Sequence, residues 1–268
     1  MEEEVSLQMK DLVHPKEKIL YRLCVLITIV GVVGSIMAII LGLVDKEEVE
    51  TIMGGFAIIF VVIYQLGKMY AKTQVNSIKL SKRQFPEIYE VIEDFAQKLE
   101  MKKIPEVYIV QQGGVLNAFA ATFFSRDYIQ INIDIFEIAY REYKDLDALS
   151  FVIGHEMGHI KMGHTKLKYI LLTFASNLIP IVGSTLSRAR EYTCDRHASY
   201  LCPQGRKSLV LLAAGKHMYK NVDVDEVVKE GQYQKGIFQW FANATASHPV
   251  LAKRMKALMD LETPGRLF

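Results

Sequence analysis

The sequence predicts an α+β fold, mostly helical, in which an N-terminal transmembrane helical hairpin precedes a larger domain built around a small β-sheet. Three observations carry this. Two long uncharged runs lie near the N-terminus, apolar residues recur at helical spacing over 85–101 and 149–160, and two stretches rich in β-branched and aromatic residues lie between those. Half of the 268 residues are hydrophobic, and mean hydropathy is +0.14 despite 23% charged residues, so the apolar ones must be concentrated locally. The net charge of +2 shows no basic excess, which argues against a nucleic-acid partner. Cys24, Cys194 and Cys202 form no disulfide pattern and fit a reducing compartment.

Residues 1–18 are polar and begin MEEE, unlike the basic start of a cleaved secretory signal, and are expected to form a cytoplasmic tail. Residues 23–44 carry no charge over 22 positions, enough for a helix to cross the roughly 30 Å of a bilayer's hydrocarbon. After the acidic DKEEVE at 45–50, a second uncharged run covers 51–67, closed by Lys68. Six residues cannot house a domain, so the two spans form a hairpin over 19–68. Lys10, Lys16, Lys18 and Arg22 flank the first span and Lys68, Lys72, Lys79, Lys82 and Arg83 follow the second, while the loop holds one lysine against four acids. Positive-inside places the domain at 69–268 in the cytoplasm and makes the lipid bilayer a partner.

Within that domain, Ile88, Val91, Ile92, Phe95 and Leu99 form one stripe of an amphipathic helix that starts at Pro86. Strands are expected over 105–111 and 128–135. Between them lies Asn117-Ala118-Phe119-Ala120, and a sheet edge there offers main-chain hydrogen bonds to an extended peptide.

The run 152–164 reads VIGHEMGHIKMGH. His155, Glu156 and His159 spell H-E-x-x-H; on a helix the two histidines sit one turn apart on one face, able to grip a single zinc ion with Glu156 beside its open position. Leu149, Val152, Ile153, Met157 and Ile160 keep helical spacing, and Asp145 or Asp147 can cap the start. A zinc site of this kind needs a third protein ligand. His164 projects from the wrong face if the helix continues, so it reads as structural. The uncharged run 169–187 is long enough to span, but one crossing would part the histidines from every later ligand. Ser176-Asn177, Pro180 and Gly183 break it, which favours a re-entrant hairpin or an apolar flap against the bilayer over a buried helix pair. Next, SRAREYTCD at 187–195 puts Glu191 and Asp195 on one helix face: one can bind a metal and the other can accept a ligand histidine's free N–H. The plainer reading is a solvated helix whose acids pair with Arg188, Arg190 and Arg196.

These stretches together resemble the membrane-bound zinc peptidase family of bacterial HtpX and the CAAX prenyl proteases. The match rests on HEMGH at 155–159, S-R-x-x-E-x-x-x-D at 187–195, NAFA at 117–120 and SHPVLAKR at 247–254, in the family's order. The resemblance implies a zincin-like metallopeptidase domain with one zinc ion per chain, Glu191 as third zinc ligand, Asp195 as partner of a ligand histidine, Asn117 to Ala120 along the substrate cleft and His248 near the reacting carbonyl. HtpX-like chains usually have two apolar segments between the second histidine and the glutamate, where this one has a single run, and Cys194 stands where alanine is usual.

The expected activity is hydrolysis of peptide bonds in unfolded or loop segments by metal-activated water, with Glu156 as general base and His248 as a donor to the developing oxyanion. Backbone recognition along the strand at Asn117 would give broad preference, and 232–246, with Phe238, Trp240 and Phe241, reads as a cleft wall, a lid or core. Arg254 is expected to anchor its helix on an acid. The alternatives are a protease of prenylated peptides and a non-proteolytic membrane scaffold with structural zinc.

Overall fold

The computed structural model describes residues 8–112, 114, 116–142, 144–233 and 236–268; the first seven residues of the N-terminal tail and part of 232–246 lie outside them. Helices α1 (Glu17–Ile40) and α2 (Lys46–Asn76) are each long and apolar enough to cross a membrane, and their apolar side chains are largely exposed. The acidic turn between them starts α2 with a capping box, in which Asp45 accepts from the Glu48 N–H and Glu48 from the Asp45 N–H, both at 2.9 Å. The second uncharged run stops at Gly67, but the helix does not: it continues to Asn76 and carries the chain straight into the sheet.

The sheet has four strands, β1 (Ile78–Lys79), β2 (Glu106–Val110), β3 (Ala118–Phe123) and β4 (Arg126–Asn132), in the order β1-β2-β4-β3. Strands β2 and β4 are parallel; the outer pairings are antiparallel, with Ala118 opposite Ile131 and Ala120 opposite Ile129. Alternation sorts the two faces. Val107, Ile109, Ile129 and Ile131 pack on α3 (Pro86–Lys98), which carries the predicted stripe, and on α5 (Leu146–Met162). Tyr108, Tyr128 and Ala121 pack on Met69 and Tyr70, the end of α2. After β4 the chain turns through α4 (Ile133–Glu137) into α5.

The uncharged run 169–187 is a folded pair of helices. Helix α6 (Leu167–Asn177) and the start of α7 (Pro180–Leu201) meet at Leu178-Ile179, where Pro180 begins the new helix. Eleven residues of α6 rise only about 16 Å, roughly half a hydrocarbon core. The pair packs on α1 through Tyr21, Cys24, Tyr169 and Leu186, with the rings of Tyr21 and Tyr169 stacked at 4.8 Å, while Leu178 at the tip is 72% exposed. A fully buried helix pair does not fit that exposed tip.

Helix α5 crosses α7 at very short range. A Cβ on Gly154 would stand 3.2 Å from Cα of Ala198, and one on Gly158 would stand 3.1 Å from Cβ of His197 and 3.2 Å from Cα of Cys194. Glycine one turn apart lets the two backbones meet, and His155 and His159, each next in sequence to one of these glycines, are thereby brought against α7. Beyond it, a turn at Pro203–Val210 and helices α8 (Leu211–Met218), α9 (Val224–Tyr233), α10 (Ile237–Thr245) and α11 (Leu251–Met259) complete the chain. The aromatic residues of α10 are not core: Phe238 is 83% and Trp240 48% exposed, whereas Asn243 and Ala244 at its end are buried.

Gly158→Val should force α5 and α7 apart, costing about 1–3 kcal/mol of stability. A lowered melting temperature together with lost metal retention is the expected outcome; a variant that melts and binds metal like wild type would contradict this packing.

Candidate metal centre

Asp145 caps α5, accepting from the Ala148 N–H at 2.9 Å, and the helix presents His155, Glu156 and His159 toward α7. Glu191 and Asp195 lie one turn apart on α7, both buried. The Nε2 atoms of His155 and His159 are 3.3 Å apart, and Glu191 carboxylate oxygens lie 3.4 Å from the first and 3.5 Å from the second. Two imidazole nitrogens and the two oxygens of one carboxylate thus face one point. Tetrahedral coordination at bonds of about 2.0–2.1 Å sets its donors about 3.3 Å apart, so the spacing found here fits a small divalent cation without rearrangement.

The electrostatics agree. Burial opposes charge on His155, yet the Asp195 and Glu191 carboxylates raise its pKa to about 10. The cluster demands positive charge between the donors, which a proton supplies when a cation does not. Burial would likewise raise the Glu191 carboxyl, but His155, His159 and Arg254 around it hold it well below the usual range. Asp195 accepts from His155 Nδ1 at 3.0 Å and from the Arg254 guanidinium at 2.8 and 2.6 Å. Arg254, on α11, is itself buried and lies 3.6 Å from Glu191. The acid it anchors on is therefore Asp195, and through Asp195 it sets the ring of His155.

Glu156 is 8% exposed and lines the cleft beside His155, Glu191 and His248. His248 reaches in from the loop between α10 and α11, with Nε2 3.7 Å from Glu191 and Nδ1 3.0 Å from the Ser247 hydroxyl. That loop is held from below by Arg188, which is fully buried and donates to the carbonyls of Ala244, Ala246 and Leu267 at 2.7–2.9 Å. Arg196 similarly donates to the carbonyls of Asp11, Leu261 and Thr263. The sequence suggested these arginines as partners for surface acids; burial of α7 turns them instead into clamps on main-chain carbonyls.

Asn117 and Ala118 to Ala120 line a cleft of about 650 Å³ with His155, Glu156 and His159. Strand β3 is the outer strand on this side of the sheet; Asn117 just ahead of it is exposed, and Ala118 to Ala120 are half-buried. Its side chains alternate, Ala118 and Ala120 toward α5 and Phe119 toward the cluster at Tyr70. A smaller recess of about 110 Å³ opens next to Glu156 between Ile135, Phe151, Leu209 and Leu212.

His164 departs from expectation. The helix ends at Met162, and Gly163 at φ +73° turns the chain so that the His164 N–H donates to the His159 carbonyl at 3.0 Å. The ring of His164 swings back, placing Nδ1 3.1 Å from His159 Nδ1 and Nε2 2.9 Å from a carboxylate oxygen of Glu17. Burial pushes the His164 pKa down to about 4. Cys194 also faces it, Sγ 3.8 Å from Nδ1, with its thiol pushed well up by burial and so kept protonated. Sequence reasoning missed Glu17 altogether; a carboxylate between Lys16 and Lys18 at the start of an apolar helix was the only signal.

A family model described as peptidase family M48 matches residues 82–179 and 167–262. A protein named protease HtpX homolog from Streptococcus gordonii (strain Challis) is 27% identical over 148 residues, covering 52% of this chain and 47% of that protein. Another of that name from Streptococcus mutans serotype c is 26% identical over 147 residues, covering 51% and 47%. The chain spans about half the length of these curated relatives.

Arg254→Ala would leave Asp195 buried without its countercharge, at an expected cost of about 3–5 kcal/mol read from thermal unfolding. Asp195→Asn should weaken metal binding about 10- to 100-fold in a chelator competition; unchanged affinity would remove Asp195 from the centre.

Proposed function

The chain belongs to peptidase family M48, and we propose that it is a membrane-anchored zinc endopeptidase acting on unfolded or loop segments of proteins. The convergence of His155 Nε2, His159 Nε2 and the Glu191 carboxylate, with Glu156 beside them in an open cleft, carries this reading. Two imidazoles and one carboxylate leave a coordination position free, as hydrolytic zinc sites do, whereas structural sites are closed by four protein ligands. A zinc ion held by these residues would supply Lewis acidity, acidifying water and polarising the scissile carbonyl.

The chain's own residues supply the rest. Glu156 takes the proton of the attacking water and delivers it to the leaving amine. His248 stands where it can donate to the oxygen that gains charge, an interaction whose loss typically costs about 10²–10³ in rate. Asp195 keeps the Nδ1 proton on His155 and thereby leaves Nε2 to face the cation. The substrate lies extended beside β3, bonded through its main chain, with one side chain entering the apolar recess at Phe151 and Leu212. Recognition of that kind is broad in sequence and requires segments free of secondary structure. Helices α1 and α2 span the membrane, and the lysines and arginines flanking them favour a cytoplasmic catalytic domain.

Cleavage of an unfolded protein by the detergent-purified chain should vanish in Glu156→Gln while its metal content stays at one ion per chain. Equal cutting by both would sink the mechanism. Lipidated and plain peptides run side by side would show whether a prenyl group is preferred.

A further inference from the structure

The two ligand histidines are supported differently. His155 donates its Nδ1 proton directly to a carboxylate, Asp195. The Nδ1 of His159 faces no carboxylate among the described residues but the Nδ1 of His164, whose Nε2 faces Glu17. The partners decide where the protons sit. Glu17 is an acceptor, so Nε2 of His164 carries a proton to donate, and the facing pair of Nδ1 atoms is satisfied when that of His164 accepts. His159 must then donate from Nδ1, which leaves its Nε2 lone pair facing Glu191 and His155.

The far side of Glu17 is equally determined. The Thr193 hydroxyl donates to its second oxygen, and that hydroxyl in turn accepts from the His14 N–H at 2.9 Å. Glu17 is 5% exposed in the first turn of α1. The segment leading to it is fastened by Arg196 on the Asp11 carbonyl at 2.9 Å and by the His14 ring, which stacks on Tyr192 and reaches the Gly265 carbonyl at 3.3 Å. Every polar atom in the row has a partner of the right kind, and the row ends on a helix read as membrane-spanning.

We infer that Glu17 and His164 are positioning residues for the metal ligand His159, so that the first turn of the membrane anchor completes the metal centre. Glu17 does for His159, through His164, what Asp195 does for His155 directly. This rests on the metal-centre reading above and adds to it a role for a helix 147 positions away from His164 in the chain.

The test measures zinc affinity of the full chain in detergent by chelator competition, with the visible spectrum of the cobalt-substituted protein and the melting temperature of the metal-free form. Glu17→Gln keeps the shape and removes the charge; His164→Asn keeps an acceptor for His159 but cannot reach Glu17. Each is expected to weaken zinc about 10-fold or more and to shift the cobalt spectrum. The double variant should be no worse than either single, because both break one link. Wild-type affinity and spectrum in the singles, or losses that multiply in the double, would overturn the inference. If Glu17→Gln does not fold, judged by the metal-free melt, His164→Asn decides alone by the same criterion. Glu191→Gln separates the two readings: if it binds zinc like wild type, the metal centre itself is wrong, whereas its loss of zinc beside unaffected Glu17 and His164 variants condemns only the positioning role.

Discussion

Uncompensated negative charge at the crossing of α5 and α7 is the constraint on which the structure turns. Glu191 and Asp195 are buried one turn apart, and Arg254 is the guanidinium placed against them. Burying two carboxylates around a single cation is costly unless more positive charge arrives, and the histidines on α5 offer a place for it. A fold that accepts such a cost in its interior has stability and chemistry tied to the same few atoms. Gly154 and Gly158 favour this, since a Cβ at either position would press on α7 at 3.1–3.2 Å.

From this crossing the surrounding elements acquire their roles. Helix α11 brings Arg254, the loop ahead of it brings His248, and Arg188 fastens that loop to α7. Strand β3 runs beside α5, so the open side of the centre lies along a strand with main-chain groups to offer. With the support inferred from Glu17, the centre draws on segments spread between Glu17 and Arg254, which makes it a property of hairpin and domain together rather than of one motif.

Much of this was legible in the sequence, and the reasons are specific. The helix carrying His155 and His159 announced itself by period and by an aspartate, 145 or 147, at its start; spacing put Glu191 and Asp195 on one helix face, while their roles came from the resemblance. Pro180 marked the break that folds 169–187 into a helix pair. What could not be read were consequences of a single backbone angle and of distance in the chain. At Gly163 one left-handed residue ends the helix and reverses the direction of His164, whereas a periodic reading carries the helix onward. Glu17 lies in a segment whose charges look like ordinary flanking residues of a membrane helix. The roles of Arg188 and Arg196 were not legible, because local spacing shows nearby acids but not the carbonyls of a C-terminal segment that folds back over them.

Helix α2 passes without interruption from its apolar stretch into contact with the sheet, where Met69 and Tyr70 support Tyr108 and Tyr128. Nine helical residues, Lys68 to Asn76, rise about 13 Å beyond the last uncharged position. In a chain anchored as proposed, this makes α2 a strut rather than a tether, and because Leu66 and Met69 themselves line the cleft, the cleft opens where the apolar stretch of α2 ends. Selection would then act partly by position: a peptide bond just emerging from the membrane meets the cleft at once.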